Sequence, residues 1–154
     1  MTTVPVTGGC LCGAIRFESA DAPYEVLSCH CDMCKKAFGG IMGIFVCVRG
    51  EAFRFTRGKP KIRCSSDIAE RAFCADCGTP IYMRYLHETD FGLMVGSLDH
   101  PEDWPPSEYH YCSDRMVPWL KLDDGLPRKP FDPIKHQKIV ELVRMKLGQA
   151  GSHD

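Results

Sequence analysis

The sequence predicts a mainly β protein with one C-terminal α-helix, its sheets stapled by zinc. Three observations carry that expectation. Short runs of alternating or continuous apolar residues recur between Gly and Pro turns, which is the pattern of strands. Only the stretch after Asp132 shows apolar residues at helical spacing. Seven of the ten cysteines fall into tight groups, Cys10/Cys12, Cys29/Cys31/Cys34 and Cys74/Cys77, and such clustering favours metal ligation. At 154 residues the chain fits a single domain, 1–154, with a sizeable core.

Taken in order, the patterned part begins at Gly8-Gly9-Cys10-Leu11-Cys12-Gly13. Cys10 and Cys12, two apart, share a face, and the glycines permit close backbone approach to a metal. Ala14 to Glu18 alternates as a strand, Asp21-Ala22-Pro23 breaks it, and Tyr24 to Leu27 is a second strand delivering the chain to Cys29. Lys35 to Gly40 reads as a turn-rich segment, and Ile41 to Val48 as a buried strand. Ala52 to Thr56 and Lys61 to Ser65 are further strands on either side of the Gly58-Lys59-Pro60 turn. Cys47 and Cys64, isolated within these strands, read as small buried hydrophobes. Arg71 to Gly78 has the look of a zinc knuckle, with a tight turn between Cys74 and Cys77.

Thr79 to Tyr85 and Phe91 to Val95 are the last strands. The segment from Asp99 to Pro130 is Pro-rich and irregular, and holds Trp104, His110, Cys112 and Trp119. A helix is expected over 132–147: Asp132 caps it, Pro133 takes the first position and Gly148 stops it. Ile139, Leu142, Val143 and Leu147 give it one face to pack on the body, and His136 needs no chemical role. The tail, 149–154, is expected to fray.

Composition narrows the function classes. The net charge is −1, from 19 basic and 20 acidic residues, so no global field favours nucleic acid or an anionic membrane. Met1 to Gly9 lacks the basic and apolar regions of a secretory signal, and no stretch approaches the ~20 apolar residues of a membrane span. The expectation is a cytoplasmic protein with no nucleic-acid or membrane partner. In that compartment ten cysteines are not a disulfide framework. A redox reading of Cys74-Ala75-Asp76-Cys77 lacks the strand-then-helix context it would need.

The organising stretch is Cys29-His30-Cys31-Asp32-Met33-Cys34. Cys29 and Cys31 share a side of an extended segment, and a turn through Asp32 and Met33 brings Cys34 to the same point. Three convergent thiolates suit a tetrahedral Zn²⁺ with an open corner, as a catalytic zinc requires. Alternatively the site is structural, with Cys47, Cys64 or Cys112 as fourth ligand. Intact clusters favour Cys10, Cys12, Cys74 and Cys77 as a closed site, with the other three as an open one. Spacing also permits Cys10, Cys12, Cys29 and Cys31 as one set, leaving Cys34 with Cys74 and Cys77.

Gly9-Cys10-x-Cys12-Gly13, Cys29-His30-Cys31-x-x-Cys34 and Phe73-Cys74-x-x-Cys77-Gly78-Thr79-Pro80-Ile81-Tyr82 resemble the three signatures of the glutathione-dependent formaldehyde-activating enzyme family, which includes the centromere-protein-V-like domains. His110, Pro118-Trp119 and Asp124-Gly125-Leu126-Pro127 resemble its C-terminal pattern. The resemblance runs from about Gly8 to Pro130. It implies a β-tent fold of mostly antiparallel sheets over about 8–130. It also implies two zinc ions per chain: a structural one on Cys10, Cys12, Cys74 and Cys77, and a catalytic one on Cys29, Cys31 and Cys34. The implied activity is a carbon–sulfur lyase joining or releasing glutathione and formaldehyde through S-hydroxymethylglutathione.

Thiolate-ligated zinc accepts a soft fourth ligand and favours the thiolate form of an incoming thiol. The expected substrate is a thiol adduct of a small carbonyl compound, glutathione by resemblance, with His110 as a candidate base. Lys35, Lys36 and Arg84 are candidates to hold a substrate carboxylate, although for the lysines a solvated loop is the plainer reading. The alternative function is a zinc-stabilised binding module for protein or nucleic acid, and the balanced charge argues against the latter.

Overall fold

The computed structural model describes residues 5–150. In chain order the described residues form β1 (Val6–Gly9), β2 (Arg16–Ser19), β3 (Glu25–Cys29), α1 (Asp32–Phe38), β4 (Gly43–Val48), β5 (Phe53–Arg57), β6 (Lys61–Ser66), β7 (Ala69–Phe73), β8 (Pro80–Tyr85), β9 (Phe91–Met94), β10 (His110–Tyr111), β11 (Arg128–Lys129) and α2 (Pro133–Ala150). The protein is mainly β, with two sheets and a long C-terminal helix, as the sequence predicts.

A three-stranded sheet runs β1-β2-β5, and an eight-stranded one runs β11-β10-β3-β4-β9-β8-β7-β6. Pairing is antiparallel except at β10, which lies parallel to both β3 and β11. The main core lies between the sheets. Phe17 of β2 is 1% exposed there and packs against the rings of Phe53 and Phe55. Val6, Val26, Val46, Val48, Ile81 and Leu93 complete that layer, with Cys10 and Cys74 in the same cluster. A separate buried cluster holds Cys29, Cys34, Phe45, Met94 and Cys112. One set of thiols therefore borders the main core, and the other has an apolar nest of its own.

Four local expectations change. Lys35 to Gly40 is not an open turn, because α1 begins at Asp32 and runs to Phe38. Its cap is a sulfur: Cys34 N donates to Cys31 Sγ at 3.3 Å, the role that Ser, Thr, Asp or Asn usually fills. Gly43 opposite makes room for the helix, since a Cβ there would sit 2.2 Å from the Phe38 ring. The expected knuckle segment starts as a strand, β7, and the expected irregular stretch contributes β10 and β11. Cys64 is exposed rather than buried, because β6 is the outermost strand of its sheet and most of its residues face solvent.

The helix expected over 132–147 is α2. Asp132 caps it, accepting from the N–H groups of Ile134 and Lys135 at 2.9 and 3.0 Å. It runs through Gly148 to Ala150, so the glycine does not stop it and Gln149 is helical. The rest of the tail, 151–154, and Met1 to Val4 lie outside the described residues. Val143, with Ile139 and Val140, docks on Ile68, Ala69, Tyr85 and Leu86. Leu142 and Leu147, expected on the packed face, are 36% and 57% exposed, because the contact is only about one turn long. No helix among the described residues is long and apolar enough to cross a membrane.

Candidate metal centres

Cys10 follows β1, and Cys74 follows β7, so each of the first pair of thiol loops hangs from a strand of a different sheet. Ile15 N donates to Cys10 Sγ at 3.2 Å, and Cys74 N and Gly78 N close the second loop onto Thr79 O and Cys74 O, each at 2.9 Å. Gly78 has φ 78°, a left-handed turn that a side chain would strain. Leu11 N donates to Thr79 Oγ1 at 3.1 Å, tying one loop to the other. The result brings Cys10, Cys12, Cys74 and Cys77 together with all four sulfurs within 4.8 Å of one another. Cys10 to Cys12 is 3.5 Å and Cys12 to Cys74 is 3.8 Å. All are free thiols. Hydrogen bonds from the Thr79 hydroxyl and backbone pull the Cys77 thiol down to about 5.

The second cluster is local. β3 ends at Cys29, Cys31 caps α1, and Cys34 lies in its first turn. Their three sulfurs are also within 4.8 Å of one another, with Cys29 and Cys34 buried and Cys31 half-buried. Hydrogen bonds from the thiols of Cys112, Cys29 and Cys34 hold Cys31 far below the ordinary thiol range. Those same contacts push Cys29 and Cys34 up. The four-plus-three grouping is thus the one the fold assembles; the regrouping of Cys34 with Cys74 and Cys77 is not formed.

One basic neighbour gave no sign in the sequence. Arg71 of β7 donates from Nη2 to Cys34 Sγ at 3.5 Å, while its Nε and Nη1 are buried without a hydrogen-bond partner. Nothing in Arg71-Ala72-Phe73 distinguishes this arginine from the exposed ones. It reaches Cys34 only because β7 and β3 are strands of one sheet. The basic residues expected at the site are placed otherwise. Lys35 bonds Asp32 and the Arg115 carbonyl, Lys36 is exposed, and Arg84 pairs with Glu70 at 2.6 Å.

His110 is fully inside, and both of its ring nitrogens are engaged. Nε2 meets Asp124 Oδ2 at 2.7 Å, and Nδ1 meets His30 Nε2 at 2.8 Å. Asp124, which also takes Arg128 at 2.9 Å, is held well below the usual carboxylate range, first by the His110 hydrogen bond. A carboxylate only accepts, so His110 Nε2 donates to Asp124, and a single proton lies along the His30 Nε2–His110 Nδ1 contact. Burial pushes His30 down to about 4, so it is neutral. His30 Nδ1 is buried without a partner. This chain fixes the residue between Cys29 and Cys31.

Residues 5–114 match the glutathione-dependent formaldehyde-activating enzyme family. The chain belongs to that family. An uncharacterized lyase of Schizosaccharomyces pombe is 32% identical over 80 residues, 52% of this chain and 58% of that protein, so the chain spans little more than half of that relative. A Rhodobacter sphaeroides protein of known crystal structure aligns over 80% of this chain and 99% of its own, at 18% identity and a TM-score of 0.48. The formaldehyde-activating family match takes in both thiol clusters and His110, and ends at Asp114. Asp124, Arg128 and α2 lie beyond it.

Proposed function

We propose that the protein is a zinc-dependent carbon–sulfur lyase acting on the thiol adduct of a small carbonyl compound, with S-hydroxymethylglutathione as the substrate the family name suggests. The S. pombe relative carries the word lyase in its name, which supports the class and says nothing of the substrate. The observation that carries the reading is the unequal pair of thiol clusters, four sulfurs at one and a mutually close three at the other.

Zinc fits both. A tetrahedron with ~2.3 Å bonds to sulfur has edges of about 3.8 Å; Cys10–Cys12 and Cys12–Cys74 are 3.5 and 3.8 Å apart, and the three sulfurs of the other cluster all lie within 4.8 Å of one another. The donors are soft, free and held by backbone N–H groups that stabilise thiolate. Cys10, Cys12, Cys74 and Cys77 would hold a structural ion and Cys29, Cys31 and Cys34 a catalytic one. When bound there, zinc would supply Lewis acidity and favour the thiolate form of the substrate sulfur.

The chain's own residues supply the rest. Cys31 is the half-exposed member, so the substrate meets the cluster on that side. Arg71 neutralises thiolate charge at Cys34 and keeps two N–H groups for an oxygen of the substrate. His110 touches His30 and Asp124, so its part is to hold the Cys29–Cys31 segment.

The test is metal content and turnover together. The wild type is expected to carry two zinc ions, and Cys31→Ala one, with its fold retained by circular dichroism. A single zinc in the wild type, or no turnover of any thiol and aldehyde in a panel by the loaded enzyme, would overturn the reading.

A further inference from the structure

The thiol of Cys112, one of three alternative fourth ligands the sequence offers, lies outside both mutually close groups of sulfurs. It is 3% exposed and lies in the same buried cluster as Cys29 and Cys34. Tyr111 and Cys31 pack against that same cluster, so Cys112 sits beside the thiol set rather than elsewhere in the core. Parallel pairing puts it there: Tyr111 of β10 lies opposite Cys29 of β3, and His30 N donates to Tyr111 O at 2.9 Å. One residue later the backbone turns. Cys112 has φ 54° and ψ 45°, and is the one non-glycine residue with positive φ among the described residues.

We propose that Cys112 is a fourth, exchangeable thiol donor to the metal held by Cys29, Cys31 and Cys34, occupying the corner that a thiol substrate takes over. The inference rests on the reading of that cluster as the substrate-binding metal site. Cys112 shares its buried cluster with Cys29 and Cys34 of the metal-capable set, and Cys31 packs against the same cluster. Four soft sulfurs also complete the coordination number that zinc prefers.

Two features make Cys112 the sulfur that yields. Cys29, Cys31 and Cys34 are all within 4.8 Å of one another, and Cys112 stands outside that mutually close set. It follows a two-residue strand and has a left-handed backbone, which is strained for a residue with a Cβ unless its surroundings hold it. Exchange is also chemically balanced. One sulfur leaves as another arrives, Cys112 takes up the proton that the incoming thiol gives up, and no electron changes hands. Between turnovers the same arrangement keeps water off the metal.

Cadmium-113 NMR of the cadmium-loaded protein counts sulfurs site by site. The wild type is expected to show two resonances, both in the four-sulfur region. Cys112→Ser should move one of them upfield to the three-sulfur region and leave the other in place. 2-Mercaptoethanol should then return the shifted resonance to the four-sulfur region. If Cys112 fills the corner nine-tenths of the time, the variant should need about tenfold less thiol than the wild type needs for exchange. A wild-type resonance already in the three-sulfur region and unmoved by Cys112→Ser overturns the proposal while leaving the metal site intact. Two four-sulfur resonances that added thiol never perturbs, in wild type or variant, overturn the exchange. A single resonance, from the Cys10 cluster alone, overturns both this inference and the metal site beneath it.

Discussion

Arg71 has one N–H on the Cys34 sulfur and two buried ones with no partner. A guanidinium desolvated in that way would be balanced by Cys34 as a metal-held thiolate. Arg71→Gln removes the charge and keeps some hydrogen-bonding capacity. It is expected to weaken zinc at the three-thiol cluster by about 10–100-fold, the usual cost of losing a group that supports a metal ligand. Competition with a chromophoric chelator measures this, and the four-thiol site serves as the internal control. At this scale the sequence was legible for the clustered thiols and much less so for the residues around them. Cys10, Cys12, Cys29, Cys31, Cys34, Cys74 and Cys77 announce themselves because sulfur is scarce and short spacings bring it together. Arg71 does not, since only strand pairing gives it its place, and Asp124 stands out only as part of the family's C-terminal pattern, not as the partner of His110.

Among the elements, α1 is set by a close approach rather than by propensity. Its Phe38 ring lies close against a strand position that has no Cβ, Gly43, while that glycine pairs with Cys29 across β3 and β4. Gly43→Ala puts a methyl 2.2 Å from the ring and so displaces the helix that carries Cys34. The variant is expected to lose about 1–3 kcal/mol of stability by urea unfolding, and to lose metal from the three-thiol site before the four-thiol one. Strands of ordinary alternation, such as β2 and β5, could be read from sequence to within a residue or two. The short parallel strand β10 could not, because two residues have no period, and α1 hid because its cap is a cysteine.

Across the whole molecule, the small sheet is tied to the rest of the protein by Asp99. It accepts from Thr7 Oγ1 at 2.7 Å and from the Arg16 guanidinium, and its N–H donates to Thr7 O at 2.9 Å. The Arg16 hydrogen bond leads in lowering the Asp99 carboxyl from 3.8 to about 2. Folded protein therefore binds that proton more weakly than unfolded protein. The stabilisation is complete above the unfolded value and is lost as pH falls through about 2. Asp99→Asn should be less stable than wild type at neutral pH, with the difference in urea midpoint shrinking below pH 4 and vanishing near 2. Thiolate protonation affects both proteins alike and cancels in the comparison. The overall class, sheets plus one terminal helix, was legible because strand alternation and a capped helix are local. The arrangement of two sheets was not, since it depends on which strands meet.

The two thiol clusters also differ in how much chain must be gathered to make them. The second set lies within six consecutive residues, whereas Cys12 and Cys74 of the first are 62 apart. Closing the longer loop costs about 2 kcal/mol more in chain entropy. On the proposed zinc reading, a nascent chain would meet metal first at Cys29, Cys31 and Cys34, before the sheets exist, and only later at the site that joins them. Metal captured that early binds the unfolded chain as well as the folded one, so it contributes less to the balance between them than the ion that must wait for the fold.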